Sequence, residues 1–170
     1  MEVLKKYKIP IDKPIIYIGN ALKEKGAMQV YNALKDQNYT LIMTGNSNQL
    51  DIPVRCIYFD EKDYRKFLKA TDLVITMSLM NEGWNRIAHE SMLVGTPVIG
   101  NGSGGMSDLL VNGDQTIIRN HDLLSLEVKR VLKNKDIIGK NGKEYVMRFD
   151  LNYFNENWLN LIKNIKNKIL

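Results

Sequence analysis

Short, unbroken apolar runs alternate along the chain with segments whose apolar residues recur every three or four positions. The runs Pro14–Gly19 (PIIYIG), Tyr39–Gly45 (YTLIMTG), Val54–Phe59 (VRCIYF), Asp72–Ser78 (DLVITMS), Pro97–Gly100 (PVIG) and Gln115–Arg119 (QTIIR) predict six strands. Gly26–Asp36 carries Met28, Val30, Tyr31, Ala33 and Leu34 at helical spacing. A second helix is predicted from an Asp60 cap to about Lys69, with Asp63 adding negative charge to its first turn. Further helices are predicted over Asn85–Val94, Asp122–Lys133, Asp136–Arg148 and Leu151–Ile169. Strands that are apolar throughout, separated by helices, require a parallel sheet covered on both faces. The expected fold is α/β, a single Rossmann-like doubly wound parallel sheet over residues 1–170, with a C-terminal helix at 151–169 and no internal repeat or linker.

Composition narrows this picture only a little. Hydrophobic residues make up 44% and charged residues 25% of the 170, an ordinary globular balance. No apolar run approaches the roughly 18–20 residues that span a bilayer, and MEVLKKYKIP lacks the apolar centre of a signal peptide. A cytoplasmic location is expected, with membrane association only through a partner. Cys56, the single cysteine, reads as a small strand residue and not as a nucleophile. The net charge of +5 favours anionic ligands, but it is dispersed and no nucleic-acid-binding motif accompanies it, so nucleic acid is not an expected partner.

The densest chemistry lies in Asn81–Gly105, NEGWNRIAHESMLVGTPVIGNGSGG, after the fourth strand. Ligands of doubly wound sheets bind beyond the carboxyl ends of the strands, which is where this segment falls. The first amides of a helix have no intrahelical partner and, with the helix dipole, form an anion site. Gly83 permits close backbone approach or a positive φ. Glu82, beside this mouth, suits neutral hydroxyls better than phosphate. Simpler readings stand alongside: Glu82 as a carboxylate favouring a helix start, Arg86 and Glu90 as an i,i+4 surface pair, and His89 as an ordinary surface or core histidine. Two more loops join at the same edge. One holds Gly102, Gly104 and Gly105 with Asp108 shortly after; the other, GNALKEKG, holds Gly19, Lys25 and Gly26. A lysine there can meet a diphosphate as a point charge, or be merely solvated. The dinucleotide fingerprint and the P-loop are both absent. His89 and His121 lie far apart in sequence and one cysteine adds nothing, so no metal site is expected.

Taken together, GNALKEKG, EGWNRIAHE, SMLVGTPVI and GGMSD resemble the C-terminal, nucleotide-sugar-binding half of retaining GT-B glycosyltransferases of the "glycosyl transferases group 1" family. The resemblance extends over nearly the whole chain, to GKEYVMRFDLNYFNENW. It implies that Glu82 contacts hydroxyls of the donor sugar and that Lys25 stabilises the leaving diphosphate. Glu90 would bind the ribose hydroxyls, and the backbone amides of Gly83, Trp84 and Asn85 the sugar or diphosphate. Gly19 and Asn20 would border the donor, and Gly104 and Gly105 would let their loop pass close to it. The donor would be a UDP-, GDP- or ADP-sugar, with no cofactor and no essential metal, charge being stabilised by protein groups. Asn20 replaces an arginine usual in the family, so a diphosphate contact must be weaker or come from elsewhere; Asp108 replaces a glutamate.

The family's N-terminal, acceptor-binding half is absent from these 170 residues. An excised domain, one subunit of a split transferase and a stand-alone non-catalytic nucleotide-sugar-binding module all remain open, as does an epimerase or phosphorylase relative on the same fold. Trp158, Leu159, Ile162, Ile165 and Ile169 fall near one face of the last helix. That face is expected either to repack on its own domain or to meet a partner: an acceptor-binding domain or chain, or a second copy. The stretch Ile57–Tyr64 is the candidate for contact with the base.

Overall fold

The computed structural model describes residues 2–45 and 50–169, with side chains of the last helix described to Asn167. Six strands form one parallel sheet: β1 (Ile15–Asn20), β2 (Thr40–Thr44), β3 (Arg55–Ile57), β4 (Leu73–Thr76), β5 (Val98–Gly100) and β6 (Thr116–Ile117), in the order β3-β2-β1-β4-β5-β6. The register sets Ile16 beside Leu73 and Tyr17 beside Val74, so β1 and β4 are neighbours although far apart in sequence. The helices are α1 (Glu2–Lys6), α2 (Ala27–Leu34), α3 (Glu61–Ala70), α4 (Arg86–Leu93), α5 (Met106–Asn112), α6 (Leu124–Lys133), α7 (Lys135–Val146) and α8 (Leu151–Ile169). Single 3-10 turns occupy Lys23–Lys25 and His121–Leu123.

The unbroken apolar runs follow from burial on both faces. Successive strand side chains point to opposite sides. Ile16 and Ile18 of β1 join Val30 and Leu34 of α2 and Val128 and Val131 of α6 in one core layer. Ile15 and Tyr17, one residue out of phase, join Phe67 and Leu68 of α3, Met92 of α4 and Leu109 and Leu110 of α5 in the other. Each fully buried side chain of this size contributes about 1.5–3 kcal/mol through the hydrophobic effect. The Tyr17 hydroxyl is satisfied by Thr44 Oγ1 at 2.7 Å, and its burial pushes its pKa up to about 12.

Asp60 caps α3 as its sequence indicates, its side chain accepting from the Asp63 amide at 2.7 Å. Asp63 does more than charge the first turn: it is buried and accepts from Lys6 and Tyr7, fastening α1 to α3. α1 is not legible in the sequence, where Val3 and Leu4 sit among lysines; both are buried. Cys56 lies part-buried in β3, its thiol 3.5 Å from the Gly45 carbonyl, and burial raises the thiol pKa.

The last helix does not repack on the body. Every side chain described in α8 is exposed, with Phe154, Trp158, Leu161, Ile162 and Ile165 among the large apolar residues left in solvent. Among the described residues no helix is long and apolar enough to cross a membrane.

Candidate functional site

β1 and β4 lie side by side while the chain leaves them in opposite directions, β1 toward β2 and β4 toward β5. Such a switch point opens a crevice at the carboxyl ends of the strands. Three loops meet there, those following β1, β4 and β5, and their backbones interlock. Gly26, at φ 74°, closes the first loop, and a Cβ at this position would stand 1.8 Å from the Met77 carbonyl oxygen. The Glu24 carbonyl accepts from the Leu79 amide at 2.8 Å and from the Ser78 hydroxyl at 3.3 Å. On the other side, Glu82 and Gly104 pair as an isolated parallel bridge, and the Gly105 amide donates to the Glu82 carbonyl at 3.0 Å. Asn101 donates to the Ser78 carbonyl, and Ser103 Oγ lies 2.7 Å from Asn81 Oδ1.

Between these loops lies a cleft of about 360 Å³. Gly19, Asn20, Leu22 and Lys25 line it from the β1 side, Thr76, Ser78 and Glu82 from the β4 side, and Asn85, Arg86 and Ile87 from the start of α4. Lys25 Nζ meets Glu82 Oε1 at 2.9 Å, an ion pair whose side chains are largely withdrawn from water. Burial pushes the Glu82 carboxyl pKa up, but the Lys25 ammonium and the Ser78 hydroxyl outweigh it and hold the group below its ordinary value. At neutral pH the Glu82 carboxyl is therefore ionised. The two residues singled out for chemistry, 57 positions apart, therefore face each other across one opening.

The entry to α4 differs from the sequence reading. The left-handed residue is Asn85, at φ 52°, and not Gly83, whose φ is not positive and whose added Cβ would meet nothing within 4 Å. Asn85 Oδ1 accepts from the Ala88 amide at 2.9 Å, so the helix supplies its own cap for one donor. The amides of Arg86 and Ile87 keep no partner among the described residues, and both residues line the cleft. An anion-favouring helix start is thus retained, reduced by one donor.

Other predicted residues fall in different places. Gly104 and Gly105 do not line the cleft. A Cβ on Gly104 would lie 2.1 Å from the Glu82 carbonyl oxygen, and one on Gly105 would lie 2.6 Å from that of Gly83. Their smallness lets the β5 loop press against the β4 loop. Trp84 turns its ring away from the cleft, donates from Nε1 to His89 Nδ1 at 2.6 Å and packs edge-on against Phe149. Glu90 stands one turn beyond Arg86, half-buried, with its Oε1 3.6 Å from Arg86 Nε. Burial raises the Glu90 carboxyl pKa, Arg86 and Arg65 counter in part, and Glu61 adds to the rise. Asp108 is exposed in the first turn of α5. Among the described residues no three His, Cys, Asp or Glu side chains converge as metal ligands.

Sequence reasoning missed Thr76 and Ser78 at the end of β4, and it read Arg86 only as half of a surface pair. Arg86 makes that pair and lines the cleft as well. The available signal was its place as the first helical residue after NEGWN, where any side chain borders the mouth.

Comparison with known proteins agrees with this architecture. The model for "Glycosyl transferases group 1" matches residues 3–145, most of the chain. An uncharacterized glycosyltransferase of Methanocaldococcus jannaschii, MJ1607, is 25% identical over 179 residues, covering 92% of this chain and 44% of that protein. The chain spans about half the length of the curated relatives it matches. Among solved structures, Anabaena Alr3699/HepE in complex with UDP-glucose superposes with a TM-score of 0.79 at 19% identity, over 96% of this chain and 52% of that one. The C-terminal domain of a glycosyl transferase group 1 family protein (LpcC) from Francisella tularensis aligns with a TM-score of 0.69 at 20% identity, over 87% of this chain and 91% of that one. These two likenesses bear on the fold, and the family match on descent; with the six-stranded parallel sheet and its cleft at the switch point, they establish that the chain belongs to the glycosyl transferases group 1 family.

Proposed function

We propose that this chain is the donor-binding half of a retaining glycosyltransferase, holding a nucleoside diphosphate sugar in the β1/β4 cleft. The glycosyl group would pass to an acceptor carried by a second half, on the same or another chain. The observation that carries the reading is the pairing of Lys25 with Glu82 beside the open amides of Arg86 and Ile87, in a cleft of about 360 Å³ at the switch point. This arrangement presents positive charge and N–H donors to a diphosphate and a carboxylate acceptor to sugar hydroxyls, side by side. The UDP-glucose bound by the Anabaena protein of the same fold supports the ligand class.

In this reading the diphosphate enters over the start of α4 and takes over the Lys25 ammonium, freeing the Glu82 carboxylate to accept from hydroxyls of the sugar. As the bond from the anomeric carbon to the diphosphate oxygen breaks, negative charge grows on that oxygen. Lys25 and the helix amides are already oriented toward it and act by electrostatic stabilisation. Arg86 supplies the second cation that Asn20 does not, from the opposite wall of the cleft. Glu90, held near Arg86, accepts from the ribose hydroxyls; Gly83 and the amides of Trp84 and Asn85 leave open backbone for the sugar. No metal ion is assigned a part, and no side chain is assigned as nucleophile.

The test is a calorimetric screen of UDP-, GDP- and ADP-glucose against the wild type, Lys25→Ala and Glu90→Ala. At least one donor is expected to bind the wild type and to lose about tenfold or more in affinity with each variant, the size of a lost charged hydrogen bond, while both variants remain folded. Absence of binding by all three donors, or equal binding by all three proteins, overturns the proposal.

A further inference from the structure

The segment Glu82–Asn85 joins the cleft to α4 and is tied down on both sides. Gly83 has no side chain and open space beside it, and Asn85 holds a left-handed φ of 52°, a region that Asn visits more readily than most non-glycine residues but still uncommonly. Its cleft side is tied by the Lys25 ion pair and by the Gly105 amide on the Glu82 carbonyl. On the far side the anchor is Trp84, whose indole N–H reaches His89 Nδ1 at 2.6 Å, one helical turn into α4. Phe149 completes the anchor, its ring 5.1 Å from that of Trp84 and 5.8 Å from that of His89, both edge-on.

We propose that Trp84 and His89 are positioning residues: their hydrogen bond, seated on Phe149, clamps the Gly83–Asn85 backbone to α4 and so fixes the mouth of the cleft. The proposal deepens the donor-binding reading and rests on it for its functional half. The bond works in one protonation state. With Nδ1 accepting, the imidazole is neutral and carries its proton on Nε2. Protonation places a second N–H at Nδ1, opposite the indole N–H, and the contact opens. Burial keeps His89 below its ordinary pKa, which favours the closed state at neutral pH. Charged neighbours are engaged elsewhere. On α4, Arg86 pairs with Glu90; on α3, Arg65 pairs with Glu61; on α7, Glu144 pairs with Lys140 and Tyr145 lies against Phe149. Arg148 covers the Tyr145 ring at 4.6 Å. The helices packed on α4 carry further charges at Lys62, Asp63, Lys66 and Lys69 on α3, Lys135, Asp136 and Lys143 on α7, and Asp108 on α5. Among the described residues none of these charges makes a hydrogen bond or ion pair with His89.

The test uses Trp158→Phe as background, leaving Trp84 as the single tryptophan. The indole N–H resonance is expected to be protected from exchange at pH 7 and to lose protection as His89 protonates. In Trp84→Phe, made in the same background, the Gly83 and Asn85 amides are expected to exchange about three- to tenfold faster, and any UDP-glucose affinity to fall by a similar factor. His89→Gln restores an acceptor for the indole without an ionisable ring, so it should keep the slow amides and abolish the pH dependence. An unprotected indole N–H, or amide exchange unchanged in Trp84→Phe, overturns the clamp whether or not UDP-glucose binds. A protected indole in a protein that binds none of the donors leaves the clamp standing and removes the donor reading instead.

Discussion

The cleft at the β1/β4 edge and the helix α8 each present side chains that the fold itself does not use up, and they do so in opposite ways. In the cleft, three loops from distant parts of the sequence are locked backbone to backbone, and the polar groups they present are few and mutually paired. On α8, one continuous stretch presents Phe154, Trp158, Leu161, Ile162 and Ile165 along a face that the body does not cover. The first region is over-determined by its own fold; in the second every described side chain of the helix is exposed. A periodic pattern is enough to make a helix amphipathic, but it does not name what covers the apolar side. A binding cleft needs no periodicity and depends on which loops the topology brings together.

The sharpest way to break this contrast is to strike the locked loops. Gly104→Ala puts a Cβ 2.1 Å from the Glu82 carbonyl oxygen at a φ of 63°, and is expected to destabilise the protein by roughly 2–4 kcal/mol in denaturant unfolding. Gly83→Ala, in open space, should change stability by less than about 0.5 kcal/mol. Similar losses for the two would mean that the loops are not interlocked.

A smaller effect comes from the ion pair. Lys25→Ala leaves Glu82 with its burial and only the Ser78 hydroxyl to oppose it, so its carboxyl pKa should rise above the wild-type value in an NMR titration. In the wild type the depressed pKa means that the stabilisation is present above 4.5 and is lost as pH falls through the lower folded-state value. In the variant that acid-side loss should shrink, with a stability decrease of about 1 kcal/mol at pH 7. An unchanged Glu82 titration would remove Lys25 from the cleft.

The smallest effect is expected on α8. Trp158→Ser and Ile162→Ser should each alter stability by no more than about 0.5 kcal/mol, because neither side chain is buried. A loss above roughly 2 kcal/mol in dilute protein would show that this face packs against the body, and the two regions would then be alike.

What was legible in the sequence follows the same division. The strands β1, β2 and β4 and the helices between them were readable because burial on both faces demands unbroken apolar runs. The Asp60 cap was readable because capping is local. The convergence of Lys25 and Glu82 came from placing both loops at one sheet edge, a consequence of topology and not of spacing. Less is legible where a residue's constraint comes from a neighbour remote in sequence. The glycine pair reads only as a loop able to pass close to a ligand, and nothing in the sequence announces that Gly104 and Gly105 press on the backbone of residues 82 and 83. Gly83 reads by residue type as permitting close approach or a positive φ, and the positive φ falls instead on Asn85. Trp84 carried no periodic signal at all, since its partner Phe149 lies beyond the end of α7.

The bridge between Glu82 and Gly104 has one more bearing. It splices the β5 loop to the β4 loop beyond the last regular strand residues, so the two travel together. Any widening of the opening to admit a bulkier guest must drag residues 101–105 with it. If the cleft holds a donor as proposed, its selectivity is open to tuning from a stretch that lends no side chain to the cleft.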